Sequence, residues 1–239
     1  MIRTFGYDEA SRLKTVTAGI KVATYSFLAN SPLVEQVTFR IDGNLRMTTT
    51  KQYDFINRLK SIANVPSGAR PVSFGYQYNN ANQRTRVDLA DGSYWSYAYD
   101  ALGQVISGKR YWPDTTLAPG QQYEYTFDTI GNRISTKAGG DSAGGSPRTA
   151  TYTPNLLNQY TSRTIPNAFD VMGLADATAT ISVNGSSAGV NRKTEYYHKA
   201  VTVANSTAPV WQNPGSIRRL LHFSSKRRKS ACQKPNLPL

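Results

Sequence analysis

The feature that most constrains this chain is a short corner that keeps returning. "YDEASRL" at 7–13, "YDFINRL" at 53–59, "YDALGQV" at 99–105 and "FDTIGNR" at 127–133 share an aromatic residue, then an acid, then a small or amide residue three positions further on. Aligning the aromatic positions places Tyr7, Tyr53, Tyr78, Tyr99, Phe127 and Tyr152 in register, at spacings of 46, 25, 21, 28 and 25 residues. The first interval spans two periods, and "FRIDGNLRM" at 39–47 inside it reads as a shorter relative of the same corner. A fixed internal period means one supersecondary unit used many times, and that decides the fold before any single motif is considered.

The corner residues have a physical reason. Asp8, Asp54, Asn79, Asp100 and Asp128 stand first in their turns, where a short side-chain oxygen bonds the chain's own backbone two residues on. Asn57, Asn82, Gly103 and Gly131 stand fourth, where the backbone takes a left-handed angle that Asn and Gly tolerate. A type I turn followed by such a residue joins two antiparallel strands with a bulge. Ser11 holds the fourth place in the first copy and tolerates that angle less readily, so a looser or differently closed turn is expected there.

The flanks alternate with period two. "VSFGYQY" puts Phe74, Tyr76 and Tyr78 on one side, "YWSYAY" does so with Trp95, Tyr97 and Tyr99, and "YEYTF" with Tyr123, Tyr125 and Phe127. That is the strand signal, and each corner is followed by a second strand-like run such as "RLKTVT" or "RISTKA". No stretch reads as a long helix; "SPLVEQVTF" at 31–39 suits either one helical turn or a strand. The chain is therefore expected to be all-β, made of successive antiparallel hairpins, through about residue 166.

Composition narrows the chemistry. The 39% hydrophobic fraction includes 15 tyrosines, whose hydroxyls favour water, so the core is expected to be thin. Cys232 is the single cysteine and only His198 and His222 accompany it, so no disulfide, metal site or cofactor is indicated. No run of about 18 apolar residues occurs, so no membrane span is expected. "MIRTFGYDEA" lacks the apolar stretch of a signal peptide and enters directly into a repeat. A fragment of a longer protein is expected, in which case the parent's compartment is not read from this start. The net charge of +13 is uneven: Arg218, Arg219, Lys226, Arg227, Arg228, Lys229 and Lys234 lie in an acid-free stretch at 212–239.

With "YDxxxRL" at two corners, "YSFLANSPLVEQVTF" at 25–39 and "YDALGQV", residues 1–165 resemble the YD-repeat, or Rhs-repeat, proteins. That family includes bacterial polymorphic toxins, the C component of Tc insecticidal toxins and the teneurins of animals. The resemblance implies hairpins joined into a curved, spiralling sheet that forms a hollow shell, enclosing a toxic cargo domain in bacterial members. It implies a non-enzymatic scaffold from a secreted or cell-surface protein, with the remainder of the shell and its cargo as partners. No "DPxGRF"-like closing segment is present, and no toxin domain is recognisable. Some six repeats correspond to a piece of wall.

The character changes near 167. Residues 167–211 alternate at Ile181 and Val183, turn at Asn184–Gly185, and resemble the start of a bacterial immunoglobulin-like sandwich. Half a sandwich leaves an apolar face uncovered, so this segment is expected to be poorly ordered or to lean on the repeats. The 212–239 tail is expected to be disordered, with no specific nucleic-acid role, because a charge block without aromatics stays solvated.

Catalysis has weak candidates. The repeated aspartates lack partner carboxylates at fixed spacing and read as turn formers. His198 beside Glu195 reads as a surface or packing residue, Lys109 in "GKRYW" lacks a phosphate-loop pattern, and "GGDSAGG" at 139–145 reads as a flexible loop. The aromatic residues Trp95, Tyr97, Tyr99, Tyr111 and Trp112 form the alternative: a platform stacking on cell-surface glycans, against packing within the sheet.

Overall fold

The computed structural model describes residues 2–205 and the backbone of 218–220. The chain divides into two compact units, Met1–Pro166 and Asn167–Leu239. No helix occurs among the described residues, and so none long and apolar enough to cross a membrane.

The first unit is one sheet of 14 strands whose order in space is their order in sequence. The strands are β1 (Thr4–Tyr7), β2 (Leu13–Ala18), β3 (Lys21–Phe27), β4 (Val34–Ile41), β5 (Asn44–Tyr53), β6 (Leu59–Pro66) and β7 (Val72–Tyr78). They continue with β8 (Arg84–Leu89), β9 (Tyr94–Tyr99), β10 (Val105–Tyr111), β11 (Leu117–Phe127), β12 (Arg133–Gly139), β13 (Pro147–Pro154) and β14 (Tyr160–Arg163). Every neighbouring pair is antiparallel, so the connections after odd-numbered strands lie at one end and those after even-numbered strands at the other. The 31–39 ambiguity resolves as strand, within β4.

Cross-strand partners share a face, so the register sorts the side chains. One face carries rows such as Tyr25–Val37–Thr49–Asn64, Tyr76–Val87–Trp95–Arg110 and Tyr97–Gly108–Tyr123–Ala138. The opposite face carries Thr15–Thr24–Thr38–Thr48, Arg86–Ser96–Lys109–Gln122 and Ala98–Ser107–Glu124–Lys137. One face is aromatic; the other is hydroxylic and charged. Among the described residues of this unit nothing packs on either face as a second layer, and its buried apolar residues are scattered: Val37, Val87, Trp112, Ala118 and Ala150. Stability therefore comes from within the sheet, through contacts between neighbouring strands and their corners.

Each odd-to-even hairpin carries an irregularity beside its corner. Lys14, Glu35, Lys60, Thr85, Ile106, Ile134 and Thr161 are each an extra residue facing a pair on the partner strand. A bulge bends its strand and increases the local right-handed twist. Seven in phase apply that bend once per hairpin.

Three expectations about the repeat change. The Asp42–Gly43 corner is not a member of the row: it lies at the other end, as a two-residue turn with φ of 50° and 73°, the mirror-type geometry of tight hairpins. The missing member is the β3–β4 connection, where Leu28 N–H donates to the Leu33 carbonyl and Asn30 takes φ of 53°. Tyr152 is also two residues early: Pro154 occupies the position before the last corner, facing Tyr160.

The second unit has its own core. β15 (Ala168–Leu174), β18 (Tyr196–Thr202) and β17 (Asn191–Lys193) form a three-stranded antiparallel sheet in that order. β16 (Thr180–Ser182) pairs with β19 (Arg218–Leu220), after which Asn184–Gly185 turns with both φ positive. Val171, Ala179, Ile181, Val183, Tyr197 and Val201 bury one another, flanked by Phe169 and Val190. The segment expected to expose an apolar face instead encloses it. The basic tail lies outside the described residues apart from the β19 backbone.

Candidate functional site

The feature with the most chemistry is the row of corners at one end of the 14-stranded sheet. In six of its seven members the first residue's side-chain oxygen accepts two backbone N–H groups, from the third and fifth residues. Asp8 takes them from Ala10 and Arg12, Asp54 from Ile56 and Arg58, Asn79 from Ala81 and Gln83. Asp100 takes them from Leu102 and Gln104, Asp128 from Ile130 and Asn132, Asn155 from Leu157 and Gln159. The backbone closes as well: the first N–H donates to the fifth carbonyl, and the fourth N–H to the first carbonyl.

The fourth residue is left-handed in all six: Ser11 at φ 59°, Asn57 at 67°, Asn82 at 60°, Gly103 at 83°, Gly131 at 91° and Asn158 at 60°. Ser11 therefore does not loosen its turn, because the two bonds to Asp8 and the Ser11 N–H bond hold it closed. The carboxylates of Asp8, Asp54 and Asp128 are engaged as acceptors of hydrogen bonds, and that depresses their pKa values. For Asp8 the Arg12 N–H is the main cause, with the Arg12 guanidinium adding to it. For Asp54 partial burial opposes ionisation but is outweighed by Arg58 and the N–H groups of Arg58 and Ile56. For Asp128 the Asn132 amide dominates.

The fifth residue reaches the next corner. Arg12 donates from Nε to Asp8 at 2.8 Å and from Nη1 to the Ser31 carbonyl at 2.7 Å, its guanidinium lying over the Phe27 ring. Arg58 repeats this with Asp54, the Asn79 carbonyl, Asn82 Oδ1 at 2.9 Å and the Tyr78 ring. Asn132 bonds Asp128 and then Asn158 Oδ1 at 3.2 Å. Gln83 and Gln104 lie against the glycines of the next corners: a Cβ on Gly103 or Gly131 would sit 3.0 Å from the Gln83 or Gln104 amide nitrogen. Glycine there answers both the left-handed angle and this close approach.

A second tie runs backwards. The tyrosine before a corner donates its hydroxyl to the first paired residue beyond the previous corner: Tyr53 to the Val34 carbonyl at 3.0 Å, Tyr78 to Leu59 at 2.8 Å and Tyr99 to Arg84 at 2.7 Å. This is why tyrosine is used where phenylalanine would fill the same space. The hairpins cornered at Asp54, Asn79 and Asp100 are thus capped, bulged, in contact with the next corner and tied back to the previous one.

The five glycan candidates do not form one platform. Trp95 stacks on Tyr97 at 6.4 Å and on Tyr123 at 6.1 Å on the aromatic face, where the Tyr97 ring lies across Gly108. Tyr99 spends its hydroxyl on Arg84. Tyr111 is on the opposite face, stacked on Tyr94 at 5.2 Å. Trp112 is 7% exposed, with the Arg110 guanidinium over its ring while Arg110 also pairs with Asp91 at 2.7 Å. Trp112 packs inside the even-to-odd corners and is not a surface residue.

Among the described residues no group of three or more His, Cys, Asp or Glu is arranged to hold a metal. His198 is buried and its Nε2 lies 2.7 Å from Asp170 Oδ1, with Asn191 Nδ2 3.4 Å from Nδ1. Its sequence neighbour Glu195 is not its partner. Asp170 is 28 residues away in sequence, so only the β15–β18 pairing brings the two together. Lys109 pairs with Glu124 at 2.6 Å on the charged face, and Asp141 of the 139–145 loop caps its own turn through the Ala143 and Gly145 N–H groups.

No protein-family model matches the chain, and no curated protein sequence matches it. Among solved structures it is similar to the Photorhabdus luminescens Tc holotoxin pore, at 15% identity and a TM-score of 0.43 over 74% of this chain. It is also similar to the TcdB2–TccC3–Cdc42 structure, at 14% identity and a TM-score of 0.45 over 85% of this chain, and to TcdB2–TccC3, at 15% and 0.45 over 71%. The chain spans between 11% and 14% of the length of those chains.

Proposed function

We propose that this chain is a stretch of wall from a YD-repeat, Rhs-type shell: a non-enzymatic scaffold belonging to a secreted or cell-surface bacterial protein linked to toxin encapsulation and delivery, or to competition between cells. The observation that carries this reading is the use made of the acidic corners. Asp8, Asp54, Asp100 and Asp128 each spend a carboxylate oxygen on two backbone N–H groups, so the residues with most chemical potential serve the turn. The in-phase bulges curl the sheet, and the aromatic face receives chain segments that lack a fold of their own.

Binding assays separate this from the glycan reading. The purified chain is presented with a permanently unfolded polypeptide, reduced and carboxymethylated, and with an array of glycans. The proposal expects association with the polypeptide, weakened by Trp95→Ala, and no glycan retained. Micromolar glycan binding lost in Trp95→Ala, with no affinity for the polypeptide, would replace the scaffold with a carbohydrate-binding surface. The split of Tyr111 and Trp112 from Trp95 counts against that second reading.

A further inference from the structure

The two outer strands of the sheet are complementary to each other. Among the described residues β1 has a partner only in β2, and β14 only in β13. Asp8 N–H donates across to Arg12, so by alternation the N–H and carbonyl groups of Tyr7 and Phe5 point away from β2. Thr164 N–H donates to the Thr151 carbonyl, so those of Arg163 point away from β13. All four residues of β14 are exposed, and Phe5 and Tyr7 are 57% and 63% exposed.

We infer that a second copy of this chain docks its β1 edge on β14, extending the sheet from 14 strands to 28 by the rule that already joins each hairpin to the next. Four observations fit one edge to the other. An even number of antiparallel strands makes β14 run opposite to β1, so the joint is antiparallel and brings the Asp8 corner to the same end as the Asn155 corner. The forward latch has a donor in waiting: Asn155 Nδ2 bonds Gln159 Oε1 at 3.2 Å as Asn79 Nδ2 bonds Gln83 Oε1 at 2.7 Å, which turns the Gln159 amide nitrogen outward as Gln83 is turned toward Gly103. The Ser11 hydroxyl, fourth in its corner like Asn82 and Asn158, is the matching acceptor. The backward tie has its donor too. Tyr7 holds the position of Tyr53, Tyr78 and Tyr99, and Tyr160 holds the position of Val34, Leu59 and Arg84, so the Tyr7 hydroxyl of one copy meets the Tyr160 carbonyl of the other. The aromatic face continues across the joint, from the Tyr152–Tyr160 pair at 5.3 Å to Phe5 and Tyr7. Such a contact is head-to-tail: it uses two different patches and leaves one of each free.

That asymmetry supplies the test. Phe5→Pro blocks β1 and Arg163→Pro blocks β14, each at a position whose N–H faces outward, where proline is tolerated on an edge. Sedimentation velocity on the full chain is expected to show oligomers growing with concentration. Each variant alone is expected to be monomeric, and an equimolar mixture to form a one-to-one dimer. Tyr7→Phe with Gln159→Ala is expected to weaken association of the parent chain roughly three- to tenfold. Should a proline unfold its chain by circular dichroism, Phe5→Lys and Tyr160→Lys, which leave the backbone unchanged, take its place. A parent chain that stays monomeric at high concentration overturns the proposal. So does dimerisation of either variant alone, which would mean like edges pair.

Discussion

The hydroxyl of Tyr78 donates a 2.8 Å hydrogen bond to the carbonyl of Leu59, 19 residues back in the chain. Leu59 opens β6, and Tyr78 closes β7. The bond therefore ties one hairpin to the hairpin before it, at the end where all the odd-to-even corners lie. Where the described residues of a unit form one sheet, such ties take the place of the core that a two-layer domain would use.

Removing that hydroxyl isolates its contribution. Tyr78→Phe keeps the ring under the Arg58 guanidinium but leaves the Leu59 carbonyl unpaired. The expected loss is about 1 kcal/mol of unfolding free energy. Chemical denaturation should show it, and Tyr53→Phe and Tyr99→Phe should behave alike. Phe127→Tyr, at one of the corners that lack the hydroxyl, should cost nothing comparable.

Gly103 carries a φ of 83° and faces the Gln83 amide. Gly103→Ala is expected to destabilise by about 1–2 kcal/mol, since an L-residue in the left-handed region pays that much. Gly103→Asn should cost less, because Asn57 and Asn82 occupy the same place in sister corners. Equal losses for the two would mean that the Gln83 approach, and not the backbone angle, sets the requirement.

The corner acids impose a pH dependence. Asp8, Asp54 and Asp128 have pKa values below the ordinary carboxylate range in the folded chain, as do Asp91, through Ser93 and Arg110 against its partial burial, and Glu124, chiefly through Lys109. A depressed pKa stabilises the fold above the unfolded value, near pH 4, and that contribution disappears as pH falls through the folded value. The melting temperature should be insensitive to these groups above about pH 5 and decline below pH 4. Asp54→Asn, which copies the natural Asn79 corner, should flatten that decline in acid. An unchanged acid limb would remove the corner acids from the account.

Trp112 and Trp95 should part company. Trp112 is buried beneath Arg110, and Trp112→Ala is expected to cost about 3–5 kcal/mol, as large core truncations do. Trp95 is partly exposed and stacked on Tyr97 and Tyr123, so Trp95→Ala should cost about 1–2 kcal/mol, scaled from the area and stacking lost. Thermal melts of the two variants give the comparison, and a milder loss at Trp112 would contradict its placement.

Much of the first unit was legible because its information is local. Period-two alternation gives the strands, and Asp or Asn followed three residues later by Asn, Gly or Ser gives the corners. The β3–β4 connection escaped because it begins at Leu28 and lacks an acid, while Asp42–Gly43 imitated a corner through its residue types although its two-residue length puts it at the other end. The ties between hairpins were not legible. Tyr78 to Leu59 and Arg58 to Asn82 depend on which side chains the register brings alongside, and register is a property of pairs of strands. The burial of Trp112 has the same origin, since the Arg110 guanidinium over its ring is held by Asp91 and Ser93 of the β8–β9 corner, 17–19 residues earlier in the chain. In the second unit the core joins Val171 to Val201, and His198 lies against Asp170, 28 residues earlier in the chain. Local alternation carries no sign of either.

The central claim is that successive hairpins are zipped to one another in a single register along the whole strip. Ala63 in β6 faces Ser73 in β7 on the hydroxylic side, at the junction between two hairpins. With Cys232 replaced by Ser, the pair Ala63→Cys and Ser73→Cys should close an intramolecular disulfide under mild oxidation, since directly paired antiparallel residues lie within about 4.5–5.5 Å of one another. The offset pair Ala63→Cys and Gln77→Cys, on the same side but two repeats of the pleat further along, should stay reduced. Rapid closure of the offset pair, or of neither, would contradict the zipped register on which the scaffold rests.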